Sequence, residues 1–139
     1  MKRVLVVDDE DTIRQLVAEA LREAGYRVEL AANGAEALRL MRRRLPHAIV
    51  LDLMMPQLDG SGFVELMRLN PRFAAVPVLL VSAADDAGEA ATRLGARAYL
   101  KKPFEIDDLV QTIAKLVGAP LPARVEPSPQ FDEPFVADG

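Results

Sequence analysis

Short apolar runs alternate with amphipathic stretches through most of the chain. Val4 to Val7, Val28 to Ala31, Ala48 to Leu51, Val76 to Val81 and Ala98 to Leu100 read as five strands. The first, third and fourth are almost unbroken in hydrophobic residues, as expected of parallel strands covered on both faces. Between the strands the apolar period changes from two to between three and four. Ile13, Leu16, Val17, Ala20, Leu21 and Ala24 mark one helical face, and Ile106, Leu109, Val110, Ile113, Leu116 and Val117 mark another. Gly25, Gly95 and Gly118 follow periodic segments, where a left-handed C-terminal residue is easiest for glycine. Asn33 and Glu36 have the offset of an N-cap and its reciprocal acid. The pattern predicts (βα)5, an α/β fold in which right-handed crossovers give a doubly wound parallel five-stranded sheet with helices on both faces.

The pattern stops at Gly118, which divides the chain into a folded domain, 1–118, and a tail, 119–139. The tail holds five of the ten prolines and four acids, without helical or strand period. Such a segment buries too little apolar surface to offset its ordering entropy, so it reads as a Pro-rich, acidic, flexible tail. The 139 residues suffice for one domain with a full core and no metal or disulfide staple. Cysteine is absent, which excludes disulfide and thiol chemistry and fits a reducing, cytoplasmic location. No stretch is long and apolar enough to insert in a membrane, and the N-terminus lacks a signal-peptide pattern. A formal charge of −4 gives no electrostatic footprint for direct nucleic acid binding. The run Arg42-Arg43-Arg44 reads as the solvated end of a helix.

In open parallel sheets the ligand site lies beyond the carboxyl ends of the strands. The first strand delivers Asp8 and Asp9 there, the third Asp52, the fourth Ser82, and the fifth Lys101-Lys102-Pro103. Three clustered carboxylates raise one another's pKa and call for a neutralising cation. An all-oxygen set favours Mg²⁺ or Mn²⁺, so the rim points to metal-dependent phosphoryl chemistry.

Four stretches then carry a resemblance: Val4-Leu5-Val6-Val7-Asp8-Asp9-Glu10, Asp52 to Gly60, Val81-Ser82-Ala83, and Tyr99-Leu100-Lys101-Lys102-Pro103-Phe104. In order and spacing the chain resembles the receiver domain of two-component response regulators, of the stand-alone chemotaxis kind. The resemblance implies the flavodoxin-like strand order 2-1-3-4-5. It also implies a phosphorylation-dependent switch in which Asp52 takes a phosphoryl group from a sensor histidine kinase or a histidine phosphotransfer protein. Asp9 and Asp52 would contact Mg²⁺ directly, Asp8 through water, and Met54 by its backbone carbonyl. Lys102 and Ser82 would bind phosphoryl oxygens, and the Lys102-Pro103 peptide would be cis. Met54 and Ala84 stand at the positions that tune hydrolysis, and their apolar side chains imply slow self-dephosphorylation. The chain would catalyse nothing beyond its own phosphoryl transfer and dephosphorylation.

Ser82 and Tyr99 would form the switch, with the hydroxyl swinging toward the phosphoryl group and the ring filling the vacated space. Output would pass by contact with a downstream protein, or by phosphorylation-dependent homodimerisation, through the helix after Ser82, the fifth strand and the last helix. Each residue taken singly has a plainer reading: a helix-terminal acid, a turn aspartate, a loop hydroxyl, a solvated lysine. Their convergence on one rim decides against those readings. The competing enzyme reading is an aspartate-nucleophile phosphohydrolase. Asp9-Glu10-Asp11 loosely matches the two-acid motif of that group, one residue apart, with Asp9 as nucleophile. It leaves Asp52 and Lys102-Pro103 unused. His47 precedes the third strand with no ligand cluster around it.

Overall fold

The computed structural model describes residues 2–53, 60–83, 85–118 and 135–136. The strands are β1 Arg3–Val7, β2 Arg27–Ala31, β3 Ala48–Asp52, β4 Val78–Ser82, β5 Ala98–Lys101 and β6 Phe135–Val136. The helices are α1 Asp11–Glu23, α2 Gly34–Arg43, α3 Gly60–Arg68, α4 Pro71–Ala74, α5 Ala87–Leu94 and α6 Ile106–Gly118. The five expected strands lie parallel in the order 2-1-3-4-5, and β6 adds beside β5. That two-residue strand falls within the segment expected to be a tail, pairing Phe135 with Ala98 and Val136 with Tyr99.

Strand alternation divides the core in two. Leu5, Val7, Ile49, Leu51 and Leu80 point to one face, where they meet Met41 of α2, Phe63 and Met67 of α3, and Ala91 and Leu94 of α5. Val4, Val6, Val50, Leu79, Val81 and Leu100 point to the other, against Val17 and Leu21 of α1 and Leu109 and Ile113 of α6. Every residue of β3 and β4 is buried, which is why these two strands show no polar positions before their last residues. At about 25 cal/mol per Å² of apolar surface, this two-sided burial is the main force holding the domain together.

Local signals set the boundaries. Asn33 caps α2 by accepting the Glu36 N–H at 2.8 Å, and the Glu36 carboxylate accepts the Ala32 N–H at 3.2 Å. Gly25 and Gly95 have φ of 101° and 74°, the left-handed region expected of helix stops. Gly118 does not share it: it is the last residue of α6 with no positive φ. Its glycine signal marked the right place but not a left-handed cap. The fourth strand begins at Val78 rather than Val76, because Val76 donates its N–H back to Phe73 and Pro77 has none to give a ladder. Between β3 and β4 the described residues of the crossover hold two helices, the second opened by Asn70 accepting the Arg72 N–H at 3.0 Å. Arg42 and Arg43 lie in the last turn of α2, where cations suit the helix C-terminus.

Candidate functional site

Asp52 is the last residue of β3 and Ser82 the last of β4. Asp8 and Asp9 follow β1 directly, and Lys102 follows β5. A parallel sheet therefore brings all five to one rim. Burial then distinguishes them: Asp8 and Asp52 are each 5 % exposed and Ser82 is fully buried, while Asp9 faces solvent. Carboxylate oxygens of Asp8, Asp9 and Asp52 lie within 4.8 Å of one another.

Lys102 supplies the one ammonium seen at this cluster among the described residues. Its Nζ stands 3.4 Å from Asp52 Oδ2 and 3.8 Å from Asp8 Oδ2. Lys101 turns outward instead and pairs with Asp85 at 2.9 Å. Strand alternation thus separates two adjacent lysines, one to the pocket and one to the surface. The Lys102-Pro103 peptide is cis, as the resemblance implies. The Lys102 N–H donates to the Ser82 carbonyl at 2.9 Å, which ties the fifth strand's end to the fourth.

Asp8 is held from several sides. Its Oδ1 accepts the Glu10 N–H at 2.9 Å, and its backbone carbonyl accepts from Arg14 at 2.8 Å. Burial nevertheless pushes the Asp8 carboxyl above the ordinary carboxylate range; Asp9 and Glu10 act the same way, against the Glu10 N–H and Lys102. An acid cluster that burial makes costly, with only oxygen donors, is chemically suited to a hard divalent cation. The residues present therefore fit Mg²⁺ or Mn²⁺. Met54 and Ala84 lie outside the described residues.

Sequence reasoning missed three participants. Arg14, from α1, braces the Asp8 backbone; a periodic helix hides such a role because arginine is common on any solvated face. Asp85 takes Lys101 away from the pocket. Gly88 of α5 forms the floor beneath Tyr99: a Cβ built there would stand 2.9 Å from the Tyr99 hydroxyl. Tyr99 is half-buried and packs on the core cluster of that face. His47 keeps its plain reading, with Nδ1 accepting the Arg3 N–H at 3.0 Å.

Comparison with known proteins agrees with this geometry. The family model of the response regulator receiver domain matches residues 4–114. The response regulator MprA of Mycobacterium sp. strain KMS is 39 % identical over 129 residues, covering 91 % of this chain and 55 % of that protein. Response regulator Rre1 of Synechocystis is 36 % identical over 118 residues, covering 83 % of this chain and 51 % of its own length. The chain thus spans about half the length of these curated relatives. Among solved structures, the Vibrio cholerae chemotaxis protein CheY4 superposes with TM-score 0.77 at 34 % identity, over 84 % of this chain and 98 % of that one. The receiver domain of Francisella response regulator 1452 gives TM-score 0.78 at 32 % identity, over 85 % and 98 %. No helix among the described residues is long and apolar enough to cross a membrane. With its acid cluster at the rim of a 2-1-3-4-5 sheet and the family match running through nearly the whole folded region, the chain belongs to the response regulator receiver domains, the phosphorylation-dependent signalling modules of two-component systems.

Proposed function

We propose that Asp52 is the phosphoryl acceptor. The observation that carries this reading is the placement of a 5 %-exposed carboxylate at a strand end, with Lys102 Nζ 3.4 Å away and two further carboxylates beside it. In the transfer, an Asp52 oxygen forms a bond to phosphorus as the P–N bond of a donor phosphohistidine breaks. The electron pair of that bond returns to the imidazole, which takes up a proton from solvent. Charge spreads over the three equatorial oxygens in such a loose transition state. Lys102 would neutralise part of it, and the Ser82 hydroxyl would donate to one oxygen. Asp9 and Asp52 would hold Mg²⁺ directly, Asp8 through water, and Met54 through its carbonyl; the ion supplies the remaining charge neutralisation when bound.

A donor must bring its phosphorus into bonding distance of Asp52, so its surface must cover this rim. Beside Lys102 an apolar groove of about 580 Å³ is lined by Ile13, Leu16, Pro103, Phe104 and Ile106. Leu16, 52 % exposed, offers that groove an apolar side chain for a helix of a sensor kinase or histidine phosphotransfer protein. Output then runs through Ser82 and Tyr99 to α5, β5 and α6, toward a downstream protein or a second phosphorylated copy.

Acetyl phosphate with Mg²⁺ is the direct test, read by intact mass and by mapping of the labelled peptide. One phosphoryl group should appear on Asp52, and Asp52→Asn, which lacks the nucleophilic oxygen, should take up none. Stoichiometric label in that variant, or label on Asp9, would overturn the assignment and favour the phosphohydrolase reading.

A further inference from the structure

The opposite end of the sheet carries the opposite charge. Arg3 opens β1 and Arg27 opens β2, and the two are partners in register. Arg22 comes from the last turn of α1, and Arg44 is the C-cap of α2. Four guanidinium groups from four elements thus line one open groove of about 480 Å³, together with Tyr26 and Glu29. Glu29 is the single acid in that lining, and it pairs with Arg3 at 3.8 Å. Among the described residues, Arg22, Arg27 and Arg44 make no ion pair.

Part of this charge has a purely structural use. Arg22 and Arg44 stand at helix C-termini, where a cation offsets the negative end of the helix dipole. Arg3 and Arg27 begin strands and have no such duty. A chain with net charge −4 therefore concentrates more cations here than its helix ends need. Burial pushes the Tyr26 phenol up, so it stays protonated and able to donate a hydrogen bond.

We propose that this groove, formed by Arg3, Arg22, Arg27, Arg44 and Tyr26 at the amino-terminal end of β1 and β2, binds a small, multiply charged phosphate ligand of the pyrophosphate class, such as the polyphosphate moiety of a nucleotide. Guanidinium forks match phosphate oxygens two at a time, which a lysine cluster would not do. The volume falls in the range of small-molecule sites rather than of an extended polyanion track. The ligand would lie at the far end of β1 from Asp8, distinct from the phosphoryl site, and the inference does not depend on which residue accepts phosphate.

The probes are inorganic pyrophosphate and ATP, titrated into the full chain in low-salt buffer with EDTA, which removes divalent cations. Calorimetry should give saturable binding with Kd below about 1 mM, and NMR shifts should centre on the amides of Arg3, Arg27 and Arg44. Arg27→Glu and Arg44→Glu, both at exposed positions, should each weaken binding by about tenfold or more, since each replaces an attraction with a repulsion. Arg27→Glu should keep the wild-type melting temperature, Arg44→Glu should melt a few degrees lower because it puts an acid at the C-terminus of α2, and both should still accept phosphate from acetyl phosphate, which shows that they are folded. Any of four results would overturn the proposal: no saturation, equal binding by the charge-reversed variants, shifts centred on Asp52 and Lys102, or binding confined to a DNA duplex.

Discussion

Lys102 reaches Asp52 across fifty residues of chain, and the pocket is made of such long-range encounters. At this scale burial decides which acid does what. Asp9 is exposed and well hydrated; Asp8 is buried and its carboxyl is pushed above the ordinary 3.8. The sign of the consequence follows from linkage. Below 3.8 the Asp8 carboxyl is protonated in both folded and unfolded chains, and its pKa shift costs nothing. As pH rises through the folded value the unfolded chain binds fewer protons than the folded one, and stability falls. At neutral pH the Asp8 charge therefore opposes folding of the metal-free protein. Asp8→Asn keeps an oxygen to accept the Glu10 N–H and removes the charge. Its melting temperature in EDTA should exceed wild type by a few degrees at pH 7, and the gain should vanish in strong acid. An unchanged or lower value at pH 7 would show that the pairing with Lys102 outweighs desolvation.

Two glycines show the same physics at the scale of an element. Gly95 stops α5 with φ of 74°, and its N–H and that of Ala96 return to the Thr92 and Ala91 carbonyls. A Cβ there would occupy a left-handed conformation, which costs about 1–2 kcal/mol for an L-residue. It would also meet the Arg68 guanidinium, a flexible group able to move aside. Gly95→Ala should therefore lower stability in urea denaturation by about 1–2 kcal/mol, with backbone strain the dominant part. Gly88 is different, because its helical backbone suits alanine and only the space is taken. An added Cβ would stand 2.9 Å from the Tyr99 hydroxyl and 3.1 Å from its Cζ. Helix propensity favours the substitution by about 1 kcal/mol, so the helix should persist and the ring should yield. Gly88→Ala should turn Tyr99 toward solvent, seen as loss of NOEs between the Tyr99 ring and α5. If those contacts survive, Gly88 does not set the ring's position, and the proposed output through Tyr99 loses its floor.

Across the whole molecule, one sheet separates two charge environments: an acid pocket beyond the carboxyl ends and an arginine groove at the amino ends. Each end is assembled because every parallel strand enters at one side and leaves at the other. Among the described residues beyond Gly118, Phe135 and Val136 pair with the β5 edge. So short a strand contributes little stability, since pairing and burial scale with length. Deleting residues 119–139 should shift the melting temperature by about a degree at most. It should nevertheless speed amide exchange along β5, whose outer edge it uncovers. A loss of many degrees would mean that the domain extends past Gly118.

The sequence alone was enough to specify five of the six strands, their parallel sheet and the polar residues at their carboxyl ends, but not β6 or the start of β4. A strand covered on both faces must be continuously apolar, and its first polar residue then marks the rim; Asp52 and Ser82 were legible for that reason. Helix stops at Gly25 and Gly95 were legible because a positive φ selects glycine, whereas Gly118 gave the same letter without the conformation. Tertiary structure alone decided which of Asp8 and Asp9 is buried and that Gly88 underlies Tyr99. It also decided that Arg3, Arg22, Arg27 and Arg44 share one groove. Periodicity reports which side of an element is apolar, but polar side chains carry no such pattern. Their neighbours are fixed only when separate elements pack, so charges far apart in the chain declare their partnership only in the folded molecule.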